Sequence, residues 1–76
     1  MDKHIEVWDD EEGSAICVSL CEADGDEIKC LRSFDYDDEE SKIDALDEAK
    51  EYASLAAAKR DCTRFFRSLH GQLERI

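Results

Sequence analysis

From Ser41 to His70 the chain contains neither glycine nor proline, alanines are dense, and Gly71 stands where a helical C-cap would. No other stretch constrains the fold so strongly, because a run of this composition is expected to be helical throughout. A continuous helix of about 30 residues would be roughly 45 Å long, well beyond strands of roughly 20 Å. Something has to change partway along it. On a helical projection Ile43, Leu46, Ala49, Ala53, Ala56 and Ala57 share one stripe, which continues into Arg60, Asp61, Arg64 and Arg67. The opposite stripe begins as Glu40, Asp44, Asp47, Glu48 and Glu51 and becomes Leu55, Ala58, Cys62, Phe65, Phe66, Leu69 and Leu73. Polarity therefore inverts near Arg60. Two arrangements accommodate this. In one, a helix over 41–59 breaks at Arg60–Asp61 and Asp61 caps a second helix over 61–70. In the other, an unbroken helix packs its far half on another subunit. In both, Phe65, Phe66, Leu69 and Leu73 form an apolar packing surface, against the rest of the chain or in a homodimer.

The first half has a different period. Residues 3–8 alternate, with Ile5 and Val7 on one face and His4, Glu6 and Trp8 on the other. After the acidic turn Asp9–Gly13, Ile16, Val18 and Leu20 alternate with Ala15, Cys17, Ser19 and Cys21, so 14–22 reads as a second strand. Asp24–Gly25 supplies hairpin-turn residues before a third strand over 27–34. A two-residue turn pairs Leu20 with Lys29, Ser19 with Cys30 and Val18 with Leu31, and sets Glu22 against Glu27. One more loop residue relieves that repulsion and pairs Ile16 with Phe34, but sets Arg32 opposite Val18. Trp8 either covers the open sheet face or projects as an anchor for a partner. The fold expected is α+β: one domain over 1–76, a three-stranded antiparallel meander followed by one long helix or two consecutive helices.

A formal charge of -11 repels nucleic acid and anionic membrane, and it favours a basic protein surface as partner. The charge is segregated: up to residue 58 acids outnumber bases 19 to 5, whereas beyond it 5 bases face 2 acids. The start, MDKHIEVWDD, lacks the apolar run of a signal peptide, and no stretch approaches the roughly 20 apolar residues of a membrane span, so a cytoplasmic protein is expected. Cys17, Cys21, Cys30 and Cys62 include no C-x-x-C pair and are expected to be reduced.

Little catalytic chemistry fits. Cys17 and Cys21 would lie roughly 13 Å apart along a strand and cannot share a metal. Cys30, Cys62, His4 or His70 would have to join one of them from elsewhere in the chain, and no metal site or cofactor is expected. Asp35-x-Asp37-x-Glu39 copies the first positions of a calcium loop, but the sixth position is Glu40 rather than glycine and the twelfth is Leu46 rather than glutamate. Glycines at 13, 25 and 71 build no phosphate loop, and no hydrolase or zinc-protease motif occurs. The protein is expected not to be an enzyme.

What remains is the acidity itself. Residues 33–41, SFDYDDEES, hold five carboxylates. Ser41 with Asp44, and Asp37 with Glu40, have the spacing of a helix-capping box. Beyond them Glu40, Asp44, Asp47, Glu48 and Glu51 recur every three or four residues, stacking carboxylates about 5–6 Å apart. Asp37, Asp38, Glu40, Asp44, Asp47, Glu48 and Glu51 are the candidate partner-binding residues. A short single domain, extreme acidity, no catalytic motif and a strand–strand–strand–helix plan resemble the small phage-encoded anti-defence proteins, above all anti-CRISPR proteins that mimic DNA. Arg60, Arg64 and Arg67 depart from a uniformly acidic mimic. The resemblance implies a non-enzymatic inhibitor in the host cell cytoplasm that occupies the nucleic-acid channel of a CRISPR effector complex. The alternative is a small homodimeric structural or regulatory module built on the Phe65, Phe66 and Leu69 surface.

Overall fold

A computed structural model describes residues 3–67 and 72–75. Five strands and one helix follow in the order β1 (Lys3–Asp10), β2 (Ala15–Glu22), β3 (Glu27–Asp35), α1 (Glu39–Arg60), β4 (Thr63–Arg67) and β5 (Leu73–Arg75). The three expected strands are present, followed by one helix. The sheet, however, has five strands in the order β3-β2-β1-β4-β5. Neighbours run antiparallel except β1 and β4, which are parallel. A parallel neighbour needs a crossover connection. Helix α1 provides it, carrying the chain from the β3 edge over one sheet face to the far side of β1. Among the described residues no helix is long and apolar enough to cross a membrane.

Among the described residues of 61–70 neither the expected second helix nor a continuation of the first is formed; Thr63–Arg67 is a strand. Asp61 does not cap a new helix; it takes the left-handed conformation (φ 53°, ψ 48°) and ends α1, while the Cys62 amide donates to the Ala57 carbonyl at 3.0 Å. The chain then turns back into the sheet as β4. Thr63–Arg67 is rich in β-branched and aromatic residues, and once extended it sends Arg64 and Phe66 to the helix side and Phe65 and Arg67 to the other, as their partners Ile5, Val7, Glu6 and Trp8 show. The polarity inversion near Arg60 thus marks the end of the helix. Phe65 and Phe66 lie on opposite sheet faces and form no common surface. Leu73 lies in β5 and is exposed, and Leu69 and His70 lie outside the described residues.

The start of the helix also differs from expectation. Asp38 is the N-cap: its carboxylate accepts from the Ser41 amide at 2.8 Å, while the Ser41 hydroxyl accepts from the Asp38 amide at 3.0 Å. Ser41 therefore closes the box from the N3 position, and neither Ser41–Asp44 nor Asp37–Glu40 is the capping pair.

Both hairpin registers occur, each over part of β2–β3. Leu20 pairs with Lys29 and Ser19 with Cys30, whereas Val18 pairs with Arg32 and Ile16 with Phe34. An irregularity at Leu31 joins the two, and another at Ile28 sets Cys21 rather than Glu22 opposite Glu27. The extra residues relieve the acid–acid pair while keeping Ile16 and Val18 on the core face. Gly25 has φ +98° in the intervening turn, a conformation open to glycine at little cost.

The core lies between α1 and one face of the sheet. Ile5, Val7, Ile16 and Val18 meet Ala45, Ala49, Ala53, Ala56 and Ala57. Helix side chains this small let the backbone approach the sheet closely. Ala45 rather than Ile43 belongs to this stripe; Ile43 is 61% exposed. A latch fixes the first turn of α1 to the sheet: Asp9 accepts from the Tyr36 hydroxyl at 2.6 Å and pairs with Lys42 Nζ at 2.8 Å.

Candidate functional site

Two surfaces carry the charged and reactive groups, one on each side of the sheet. On the outside of α1, Glu40, Asp44, Asp47, Glu48 and Glu51 are all exposed, and helical periodicity sets them roughly opposite the buried alanines. Among the described residues no ion pair engages any of them. Asp37 and Asp38 continue the surface at the helix start and are exposed, with Asp38 committed to the cap. Hydrogen bonds from Ser41 to its carboxylate, first from the backbone amide, hold the Asp38 carboxyl below its ordinary range. The acidic row is thus anchored at its start by the capping box and the Asp9–Tyr36–Lys42 latch. Glu48 and Glu51 also rim a shallow groove of about 250 Å³ with Arg32, Phe34, Tyr52 and Leu55. There Arg32 lies 4.9 Å from the Phe34 ring centroid and 5.7 Å from that of Tyr52.

The arginines that depart from an acidic surface are each engaged by groups of the protein itself. Arg60 donates to the Ala56 carbonyl at 3.2 Å, Arg64 hydrogen-bonds the Ser54 hydroxyl, and Arg67 reaches β1. These contacts draw positive charge toward the helix end and the sheet and leave the outer helix face anionic.

On the sheet face opposite α1, alternation gathers His4, Glu6 and Trp8 of β1 with Cys17, Ser19 and Cys21 of β2. Parallel pairing then brings Phe65 beside Glu6 and Arg67 beside Trp8. Glu6 is only 2% exposed although α1 lies on the other face of the sheet. Arg67 forks onto it, Nε to Oε1 at 2.6 Å and Nη2 to Oε2 at 3.0 Å, while His4 Nε2 lies 2.7 Å from Oε2. Burial pushes the Glu6 carboxyl up, but the bonds from Arg67 and His4 more than offset this and hold it below its ordinary range. Phe65 packs edge-on against the His4 ring, their centroids 5.3 Å apart. Trp8 is half-buried; its indole N–H donates to the Ser19 hydroxyl at 3.0 Å, which donates to Glu27 at 2.6 Å. These groups border a hollow of about 320 Å³ with Cys21, Gly25 and Arg67.

Cys17, Cys21, Cys30 and Cys62 are free. Burial, then nearby acidic groups, pushes the Cys17 thiol up to about 11 and the Cys21 thiol up to about 12. Neither is a thiolate at neutral pH, the form a cysteine nucleophile requires. The sequence pattern placed His4, Glu6 and Trp8 on one face but gave no sign of Arg67, which joins them from the far end of the chain. Comparison with protein-family models, with curated proteins and with solved structures returns no match.

Proposed function

We propose that the protein is a non-enzymatic anionic ligand for a cationic, nucleic-acid-binding surface of another protein, acting as a DNA-mimic inhibitor of the anti-CRISPR type. The observation that carries this reading is the row Glu40, Asp44, Asp47, Glu48 and Glu51, exposed and without ion-pair partners among the described residues, on a helix tied to the sheet at its start. Stacked carboxylates at about 5–6 Å carry a linear density of negative charge that surfaces built to meet phosphates attract. Binding to such a row costs little backbone entropy, because the helix that carries it is already ordered by the scaffold. The same spacing makes the row repel itself by a few tenths of a kcal/mol per pair, a cost that a cationic partner relieves.

The test is a pull-down from bacterial lysate with the wild type and with a variant carrying Asp44, Asp47, Glu48 and Glu51 replaced by Lys. The wild type should retain a nucleic-acid-binding protein at low salt and release it at high salt. The variant, still folded by circular dichroism, should retain none. Equal retention by both rejects the proposal, and so does the absence of any basic partner, which would leave the acids as a solvated face that keeps the protein dispersed.

A further inference from the structure

We propose that His4, Glu6 and Cys21 form a binding site for a divalent transition-metal ion, zinc fitting the donor set best, with Arg67 as a positioning residue. The strand register creates the site. His4 lies directly opposite Cys21 across β1–β2, and Glu6 follows two residues along β1 on the same face. One ligand atom from each lies within 4.8 Å of the others, and the three residues are 6%, 2% and 2% exposed. Nitrogen, carboxylate oxygen and sulfur are the donors zinc accepts, at roughly 2.0–2.3 Å. Such bonds hold the donors of a tetrahedral site about 3.3–3.8 Å apart, so the 2.7 Å contact between His4 Nε2 and Glu6 Oε2 has to open by less than about 1 Å.

The surroundings fit as well as the ligands. Arg67 forks onto both Glu6 oxygens, Nε on Oε1 and Nη2 on Oε2, so Oε2 meets the ion through its remaining lone pair as a one-oxygen ligand held from behind, the usual arrangement of an outer-shell partner. Glu6 and Cys21 also line the hollow shared with Trp8, Ser19 and Glu27, where a water completes four-coordination. On binding, the Cys21 S–H bond breaks and its proton leaves to solvent, and the remaining ring proton of His4 resides on Nδ1. The ion then meets a neutral imidazole, a carboxylate and a thiolate, with no change of oxidation state. The fold also has a use for such a staple. Chains of this size bury little core, and α1 offers the sheet mostly alanines.

Cobalt(II) is the probe, because a thiolate ligand gives it a near-ultraviolet charge-transfer band. The purified, reduced protein should bind one Co²⁺ per chain with that band, and Zn²⁺ should displace it. Cys21→Ser should lose the band. A variant with Cys17, Cys30 and Cys62 all replaced by Ser should keep it, which decides the matter even if Cys21→Ser fails to fold. Arg67→Gln should weaken Co²⁺ affinity about 10–100-fold and alter the visible ligand-field spectrum, a change that lost stability alone would not produce. Absence of the band in the wild type, its survival in Cys21→Ser, or its loss in the folded triple variant would overturn the site.

Discussion

Replacing Glu6 with Gln tests how the sheet face opposite α1 is held together. The substitution keeps the volume and removes the charge that Arg67 and His4 share. Breaking a fully buried pair from one side costs about 3–5 kcal/mol. Glu6 is buried, but the Arg67 side chain is 35% exposed and keeps part of its hydration, so the expected loss falls to about 2–3 kcal/mol. A domain of this size shifts by about 4–8 °C per kcal/mol, which places the drop in Tm at roughly 8–24 °C. The assay is thermal unfolding followed by circular dichroism at neutral pH, with chelator present so that metal binding does not contribute. Adding Arg67→Gln to Glu6→Gln should restore part of the loss, because both halves of the pair are then neutral, giving a coupling of about 0.5–3 kcal/mol. A single-mutant loss below about 0.5 kcal/mol, or strictly additive losses, would refute the reasoning.

Acid should weaken the same network. Because the folded Glu6 carboxyl lies below its ordinary value of 4.5, its contribution is fully present above that pH and fades as pH falls through the lower folded value. The acid limb of a stability–pH curve should therefore be shallower in Glu6→Gln, and equal limbs would contradict this. Ala49→Leu, at a fully buried position, should overpack the helix–sheet contact and cost about 1–3 kcal/mol by urea unfolding; a neutral result would mean that α1 does not seat on alanines. Gly25→Ala, at φ +98°, should lose about 1 kcal/mol or more by the same measurement. Raising ionic strength from about 0.01 M to 0.15 M shortens the screening length from roughly 30 to 8 Å. It should raise Tm by relieving the self-repelling row on α1, and a fall in Tm would count against that row.

The parts of the fold legible in sequence are those whose period is local. Ile5 and Val7 alternate with His4 and Glu6, and Ile16, Val18 and Leu20 with Cys17 and Ser19, so β1, β2 and their faces follow from side-chain order alone. The outer face of α1 follows from helical spacing in the same way. β4 did not, because Phe65–Phe66 is an adjacent apolar pair that satisfies either period, and neither glycine nor proline separates it from α1. Its partner β1 lies near the other end of the chain, and tertiary pairing of that range leaves no local mark. The second surface was hidden for the same reason: His4, Glu6 and Trp8 were visibly cofacial, but Arg67 reaches Glu6 only once β4 has joined the sheet. The hairpin registers looked exclusive because an irregularity at Leu31 that uses both has no signature in alternation.

Competition between this protein and DNA for one partner tests the account most directly. With the retained partner purified and loaded with fluorescent duplex DNA, the wild-type protein should displace the duplex, and the variant with Lys at positions 44, 47, 48 and 51 should not. Simultaneous binding of duplex and protein, or equal displacement by both forms, would contradict the claim that the anionic face of α1 stands in for nucleic acid.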